Sequence, residues 1–184
     1  MKYAYMTALL FSCLLTHLSA QSNLKAGVAY FGHTLTHPGG VLELELEREF
    51  SERASLPFRI DLGYYRHARN HDGLFLDAHI GLRQYARSGF FWEESIGIGI
   101  LQTMLNGEDG VFEVGEDGTV RRGSVFNQPD LMPSVTLGLG WDLTHRQDRK
   151  TLLWLRPKLY WQYPQKLVSV YHVAVQAGFS WQLR

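Results

Sequence analysis

Residues 42–47 read Leu-Glu-Leu-Glu-Leu-Glu, a strict alternation of apolar and acidic side chains. Successive side chains of a β-strand point to opposite faces, so this stretch predicts a strand with one apolar face and one charged face. Seven further segments repeat the period of two, with small or polar residues on the second face. They are residues 24–31, 58–64, 74–83, 92–100, 135–142, 153–161 and 171–183.

Together these segments predict about eight strands, each near the roughly 9–11 residues that a tilted transmembrane strand needs. An even number of strands returns both chain termini to the same side of a membrane. Glu94 interrupts an apolar face, which suggests a bulge or a position at the membrane boundary. Pro157 cannot donate to a strand ladder, so its strand is expected to bend or bulge there.

A soluble two-sheet sandwich also alternates, so two further features are needed to favour a membrane barrel. Two pairs of glycines lie opposite apolar faces, where they suit a crowded, narrow lumen. They are Gly97, Gly99, Gly138 and Gly140. Aromatic residues stand near the predicted strand ends, as in the girdles at the two lipid–water boundaries. They are Tyr30, Tyr64, Trp92, Trp141, Trp161 and Trp181.

The first 20 residues have the features of a secretory signal peptide. Lys2 gives a positive start, residues 8–15 form a short apolar core, and Ala20 puts a small residue at the cleavage position. The stretch is too short to span a bilayer, which needs about 20 apolar residues. Residues 1–20 are therefore predicted to be removed, leaving one barrel domain over residues 21–184.

Composition agrees with an exported β-protein and argues against one class of partner. A formal net charge of +0 gives no electrostatic footprint for nucleic acid. Charged residues make up 20% of the chain and aromatic residues 13%, a balance that suits β-structure in contact with lipid. The single cysteine, Cys13, lies in the predicted signal, so no disulfide is expected in the mature chain.

The predicted connections differ between the two ends of the strands. One set is short and polar, as periplasmic turns are, and lies around residues 51–53, 86–88 and 145–147. The other set is longer, as extracellular loops are, and includes residues 32–39, 67–72 and 106–129.

With its signal peptide, period-two strands and alternating connections, the chain resembles the small eight-stranded outer-membrane proteins of the OmpA and OmpX type. The resemblance covers the whole mature chain. It implies a location in the outer membrane of a Gram-negative bacterium, in contact with membrane lipid and lipopolysaccharide. The final strand, Val175 to Leu183, is similar to the sorting signal that such barrels present to the barrel-assembly machinery. Arg184 departs from this pattern, because the usual terminal aromatic residue is missing.

If the apolar faces meet lipid, the opposite faces fill a narrow lumen with charge. The acidic residues placed there are Glu43, Glu45, Glu47, Asp61, Asp77, Glu93 and Asp142. The basic residues are Lys25, Arg59, Arg83, Arg156 and Lys158, with His79 and His172 beside them. Because an unpaired buried ion costs several kcal/mol, these groups are expected to form a paired network or to retain water.

An interior of this size has room only for side chains, so a general diffusion pore is not expected. The column of glutamates over residues 43–47 has side chains about 7 Å apart on one strand. It suits either a bound cation or neighbouring Arg and Lys side chains.

Histidines are the most unusual feature of the predicted outer loops. His33 and His37 stand in one loop, and His67 and His71 in the next. Neutral imidazoles are common ligands of zinc and copper, so these four residues are candidate metal ligands. The alternative is that they are ordinary polar loop residues, and no metal or other cofactor is predicted from the sequence.

An enzyme of the lipid-modifying kind would need a serine, a histidine and an acid near the outer rim. Ser95, His79 and Asp77 are the available set, but the sequence has no nucleophile elbow to fix their geometry. The His-x-Ser-Asn run expected of the lipid A deacylase barrels is absent from the sequence. No catalytic residue is therefore predicted.

The sequence predicts a non-enzymatic outer-membrane barrel with a structural or surface-interaction role. Its working surface is expected to be the extracellular loops, above all residues 106–129, with an extracellular ligand or protein as a possible partner. The alternatives are a lipid-modifying outer-membrane enzyme and a narrow ion-conducting or metal-linked transporter.

Overall fold

The computed structural model describes residues 22–34, 37–68, 71–105, 112–114, 118–122, 125–126, 128–144, 151–163 and 170–183. The predicted signal peptide, residues 1–20, and Arg184 lie outside these ranges. Among the described residues, no helix is long and apolar enough to cross a membrane.

Strands are the only regular secondary structure among the described residues. Eight long strands are β1 (Ser22–His33), β2 (His37–Ser51), β3 (Ala54–His67), β4 (His71–Tyr85), β5 (Phe90–Leu105), β8 (Asp130–Asp142), β9 (Thr151–Gln162) and β10 (Val170–Gln182). Two short strands, β6 (Phe112–Val114) and β7 (Val120–Arg122), form a separate antiparallel hairpin in the long connection.

The long strands close into an antiparallel barrel in the order β1-β10-β9-β8-β5-β4-β3-β2. The predicted eight-stranded all-β barrel is therefore confirmed. The strands are 12–16 residues long rather than 9–11. The additional length comes from polar residues at the strand ends. In β2, for example, His37 and Ser51 lie on either side of the alternating segment.

The strands are staggered around the barrel. Following paired residues from Leu24 across the successive strands leads back to Thr34, the residue after β1, ten positions further along. Such a stagger requires strands that tilt against the barrel axis. Side chains that meet across the lumen therefore come from sequence positions that no local pattern relates.

The exterior of the barrel is apolar and its interior is charged. Leu42 and Leu44 on β2 are 60% and 45% exposed, whereas the intervening Glu43 is 4% exposed. Aromatic residues near the strand ends, Tyr30 and Trp92 among them, also face outward. Such an apolar exterior is stable in lipid. A closed barrel can lie there because all of its strands are hydrogen-bonded to neighbouring strands.

Two expected irregularities take other forms. Glu94 faces outward in unbroken register between Leu82 and Leu137, without a bulge. At Pro157 the pairing of β8 with β9 is interrupted but resumes in the same register on both sides. The missing proline N–H thus removes a rung of the ladder without shifting it.

Side chains fill the lumen in layers. The layer near the short turns is apolar and consists of Tyr85, Phe91, Leu152 and Trp154. The middle layer holds the buried charges. The layer toward the long connections is again apolar and consists of Phe31, Val41, Tyr65, Phe75, Leu101, Met132, Tyr160 and Ala174.

Glycines make room for this crowded interior. A Cβ at Gly97 would lie 2.4 Å from His79 Nδ1, and one at Gly99 would lie 2.3 Å from Asp77 Cβ. Both distances are far below van der Waals contact. Side chains of the neighbouring strand therefore pack directly against the backbone at these two inward-facing glycines.

Candidate functional site

Arg83 lies at the centre of the lumen charges. Its Nη1 and Nη2 donate to the two carboxylate oxygens of Glu45 at 2.8 and 2.6 Å. Its Nε donates to Glu93 at 2.9 Å, and its Nη1 lies 3.2 Å from Glu47 Oε2. All four side chains are buried. Bidentate contact of this kind is the strongest form of the arginine–carboxylate pair.

Two further arginines connect other strands to this centre. Arg59 on β3 donates to Glu93 at 2.7 Å, and its Nε lies 3.3 Å from Asp61 Oδ1. Arg156 on β9 hydrogen-bonds to Glu43 on β2, and its Nε lies 3.4 Å from Glu93 Oε1. Because β2 and β9 are three strands apart around the barrel, the Arg156–Glu43 contact crosses the lumen.

The two lysines complete the network. Lys25 pairs with Glu47, which also accepts hydrogen bonds from Ser55 at 2.5 Å and Tyr85 at 2.7 Å. Lys158 pairs with Asp77 further toward the long connections. The glutamate column of β2 is thus occupied by Arg and Lys side chains, which is one of the two outcomes that the sequence left open.

Aromatic rings bound the charged layer on both sides. The Arg156 guanidinium carbon lies 3.8 Å from the ring centroid of Trp154, in the layer near the turns. Lys158 Nζ lies 5.0 Å from the centroid of Phe75, in the opposite layer. Contacts of this type favour cations that have lost their water.

Asp142, predicted among the lumen charges, lies on the inward face of β8 at its turn end. It is buried, and its Oδ1 accepts hydrogen bonds from the backbone N–H and the hydroxyl of Thr144 at 2.9 and 3.0 Å. Thr144 Oγ1 in turn accepts from the N–H of Thr151, at the start of β9. Asp142 therefore organises the β8–β9 connection rather than the ion pairs described above.

Ser95, His79 and Asp77 do not have the geometry of a hydrolase triad. His79 Nε2 is 3.0 Å from Asp77 Oδ2, but the hydroxyl of Ser95 hydrogen-bonds to Thr136. All of these side chains are buried in the lumen rather than placed at the outer rim. A lipid on the exterior has no access to them.

Within the described residues, Asp61, Asp77 and His79 have ligand atoms within 4.8 Å of one another, close enough to hold a metal ion. Lys158 already pairs with Asp77, and Arg59 lies 3.3 Å from Asp61. These cations already supply the positive charge that an ion would bring.

Five histidines lie together at the end of the lumen opposite the short turns. We call them the histidine mouth: His33, His37, His67, His71 and His172. The first four were expected in loops, but they end or begin strands, because the links 34–36 and 68–70 are only three residues long. His33 pairs with His37, and His67 with His71, across these links.

His172 joins the mouth from β10, although the sequence analysis placed it among the lumen charges. Its Nδ1 lies 3.2 Å from His33 Nε2, in hydrogen-bond contact. Its ring stacks on Tyr160 with centroids 5.0 Å apart, and the His33 ring stacks on Tyr65 at 4.5 Å. An inward-facing position near the outer end of the last strand was the signal in the sequence. Only barrel closure makes it informative.

The mouth lies beyond the apolar belt, since His33 and His67 each follow the girdle residues Tyr30 and Tyr64 by three positions. Burial, together with the neighbouring histidines, lowers the pKa of His33 from 6.5 to about 3. Burial also lowers the pKa of His172 and of His71. These imidazoles are therefore neutral near pH 7.

The β6–β7 hairpin exposes apolar side chains beyond the loop end of the barrel. Phe112 and Val120 are 58% and 66% exposed, and Phe126 close by in the chain is 62% exposed. Residues 125–126 contact the end of β5 through a Met104–Phe126 bridge and a hydrogen bond from Leu105 N–H to the Val125 carbonyl.

Comparison with known proteins gives a likeness of fold only. No protein-family model and no curated protein matches the sequence. Among solved structures, Neisserial surface protein A (NspA) superposes with a TM-score of 0.61 at 11% identity, over 90% of this chain and 99% of that one. The chain has the fold of the small outer-membrane barrels.

A second outer-membrane barrel superposes over a similar length. Ail, the attachment invasion locus protein of Yersinia pestis, has a TM-score of 0.51 at 12% identity, over 89% of this chain and 99% of that one. Ail was solved in complex with the heparin analogue sucrose octasulfate. The expected architecture of the OmpA and OmpX type, and with it an outer-membrane location, is confirmed by the closed barrel and its lipid-matching exterior.

Proposed function

We propose that this barrel is a non-enzymatic surface protein whose loop end binds an extracellular partner. The observation that carries the proposal is the contrast between a filled lumen and an exposed apolar loop end. Membrane lipid and lipopolysaccharide surround the barrel in this proposal, and the barrel-assembly machinery inserts it.

The filled lumen argues against transport through the barrel. Two apolar layers enclose a charged layer in which arginines and lysines pair with the carboxylates. An ion crossing this interior would have to break several buried pairs, each costly to separate. Conductance is therefore not the function that the geometry supports.

The exposed apolar side chains at the loop end favour a contact surface. Phe112, Val120 and Phe126 lie in the long connection between β5 and β8, and their side chains are exposed. Exposed apolar residues that cluster on a projecting segment are typical of protein-binding sites. These apolar side chains favour a protein partner, whereas a sulfated glycan of the kind bound by Ail would use the basic residues of β7, Arg121 and Arg122.

The test compares cells that display three forms of the chain on wells coated with fibronectin, as a protein probe, or with heparin. The first is the wild type, the second carries F112S, V120S and F126S, and the third carries L143S. Leu143 is a matched control, because it is 55% exposed at the turn end of the barrel. We expect the triple variant to lose retention on fibronectin and L143S to keep it.

Equal retention of wild type and triple variant on both surfaces would contradict the proposal. Retention on heparin alone would contradict a protein partner and indicate that the partner is a sulfated glycan. Two further assays on the wild type test the alternative functions. Discrete conductance in a planar bilayer would support a channel, and a change in the mass of lipid A would support an enzyme.

A further inference from the structure

We propose that the histidine mouth binds one divalent transition-metal ion of the zinc, nickel or copper type. The proposal goes beyond the surface role above and does not depend on it. Five imidazoles from five strands, β1, β2, β3, β4 and β10, meet at one end of the lumen. Imidazole nitrogen is a preferred ligand of these borderline metals, whereas calcium and magnesium prefer oxygen.

Three of the rings lie close enough to His33 to share an ion with it after side-chain rotation. Two imidazoles on one tetrahedral zinc have ring centroids about 5 Å apart, because each Zn–N bond is about 2.0–2.1 Å long. The His33 centroid lies 5.1 Å from that of His172, 5.7 Å from that of His37 and 6.5 Å from that of His71. As the side chains stand, no three of these rings have nitrogens within 4.8 Å of one another, so a shared ion requires the rings around His33 to rotate toward it.

The tautomers of His33 and His172 leave a lone pair available. His33 Nε2 and His172 Nδ1 share one hydrogen bond, so one of these nitrogens donates and the other accepts. Among the described residues, neither His33 Nδ1 nor His172 Nε2 has a hydrogen-bond partner, although both atoms are buried. In a neutral ring that donates from one nitrogen, the other nitrogen is unprotonated. One of the two unpaired nitrogens therefore always presents a lone pair.

Neighbouring groups orient two of the other rings. Thr34 Oγ1 lies 2.8 Å from His37 Nδ1, in hydrogen-bond contact. The hydroxyl of Tyr65 lies 3.4 Å from His71 Nε2. Contacts of this kind fix the tautomer and orientation of metal-binding histidines, and their loss typically weakens metal affinity about 10–100-fold.

The structure also limits the ion to the mouth. Tyr65 and Tyr160 stack beneath His33 and His172, and the apolar layer that contains them closes the lumen below. A bound ion therefore meets aromatic side chains rather than a path inward. The mouth is a binding site and not the entrance to a channel.

The experiment measures binding of zinc and nickel to the mature chain folded in detergent, by equilibrium dialysis at pH 7.5, with magnesium as the control ion. Wild type is compared with H172Q, with H33Q and with H79Q. His79 is the comparison residue, because it is an inward-facing histidine outside the mouth and belongs to the other cluster close enough to hold an ion, so H79Q distinguishes the two sites. A gel shift between boiled and unboiled samples shows that each variant is folded.

We expect one zinc or nickel ion per wild-type chain, an affinity more than about 10-fold weaker in H172Q and H33Q, and an unchanged affinity in H79Q. Binding of copper would give nitrogen hyperfine structure in the EPR spectrum, which H172Q would alter. If H33Q does not fold, H172Q and the wild type decide the matter. Zinc and nickel binding no tighter than magnesium, or binding that H172Q leaves unchanged, would overturn the proposal.

Discussion

Arg83 shows how much of the interior depends on a single side chain. Its guanidinium contacts Glu45, Glu47 and Glu93, which are all buried. Without it, Glu45 would lose both bonds of its bidentate pair in the buried interior, whereas Glu47 would keep Lys25 and Glu93 would keep Arg59 and Arg156. Breaking a buried pair by removing one partner is more damaging than replacing the whole pair with apolar groups.

We predict that Arg83→Met destabilises the barrel by about 3–5 kcal/mol, the usual cost of leaving a buried charge uncompensated. The free energy of unfolding is measured by urea titration in detergent micelles. Arg87→Met is the matched control, since Arg87 is exposed in the turn after β4. Equal stability of the two variants would mean that water reaches the carboxylates.

His33 gives a second prediction at this scale, on pH. Its pKa is lowered from 6.5 to about 3 in the folded barrel, because burial and neighbouring histidines disfavour its charged form. When the mouth opens, His33 binds a proton more readily than it does in the folded barrel. The free energy that favours the closed mouth is therefore fully present above pH 6.5 and falls between about pH 6.5 and 3.

The measurement is hydrogen exchange of the Thr34 amide, which donates to the Val173 carbonyl at 2.9 Å beside His33. After correction for intrinsic exchange, we expect its protection to decline as the pH falls through that window. The decline should be smaller in His33→Gln. An identical profile in both proteins would show that His33 does not control the opening.

At the scale of the strand, the alternating pattern predicts which face of the sheet each residue occupies, but it does not predict which charged residues pair. The period of two assigned the inward and outward faces, as in β2 with Glu43 inside and Leu42 outside. It could not assign charge partners, because Arg156 and Glu43 are 113 residues apart in the sequence. Their meeting depends on the stagger of the closed barrel, and His172 reaches the mouth for the same reason.

Close approach of strands at glycine gives a prediction at this scale. Gly97→Ala on β5 should destabilise the barrel by about 1–3 kcal/mol, because an overpacked methyl must displace its neighbours. Its Cβ would lie 2.4 Å from His79 Nδ1 and 2.7 Å from Ser134 Oγ. Gly40→Ala is the matched control, as its nearest neighbour would be 3.9 Å away. Equal unfolding free energies for the two variants would contradict the crowded interior.

At the scale of the whole molecule, the closed barrel should resist detergent without heat. We predict that the mature chain, taken from an outer-membrane fraction, migrates differently on gels before and after boiling. The compact form persists because every long strand is paired on both sides. A chain found in the soluble periplasm, with no shift on boiling, would contradict the membrane-spanning interpretation.

The ion pairs that cross the lumen also bear on how the barrel is assembled. Arg156 on β9 reaches Glu43 on β2, and these side chains meet across the lumen only after β1 has joined β10. In a partly inserted, open sheet the same side chains would stand unpaired in or near lipid, at a cost of several kcal/mol each. Partly inserted, open forms of the barrel are therefore higher in free energy than the closed form. We expect insertion and closure to occur together in one cooperative step.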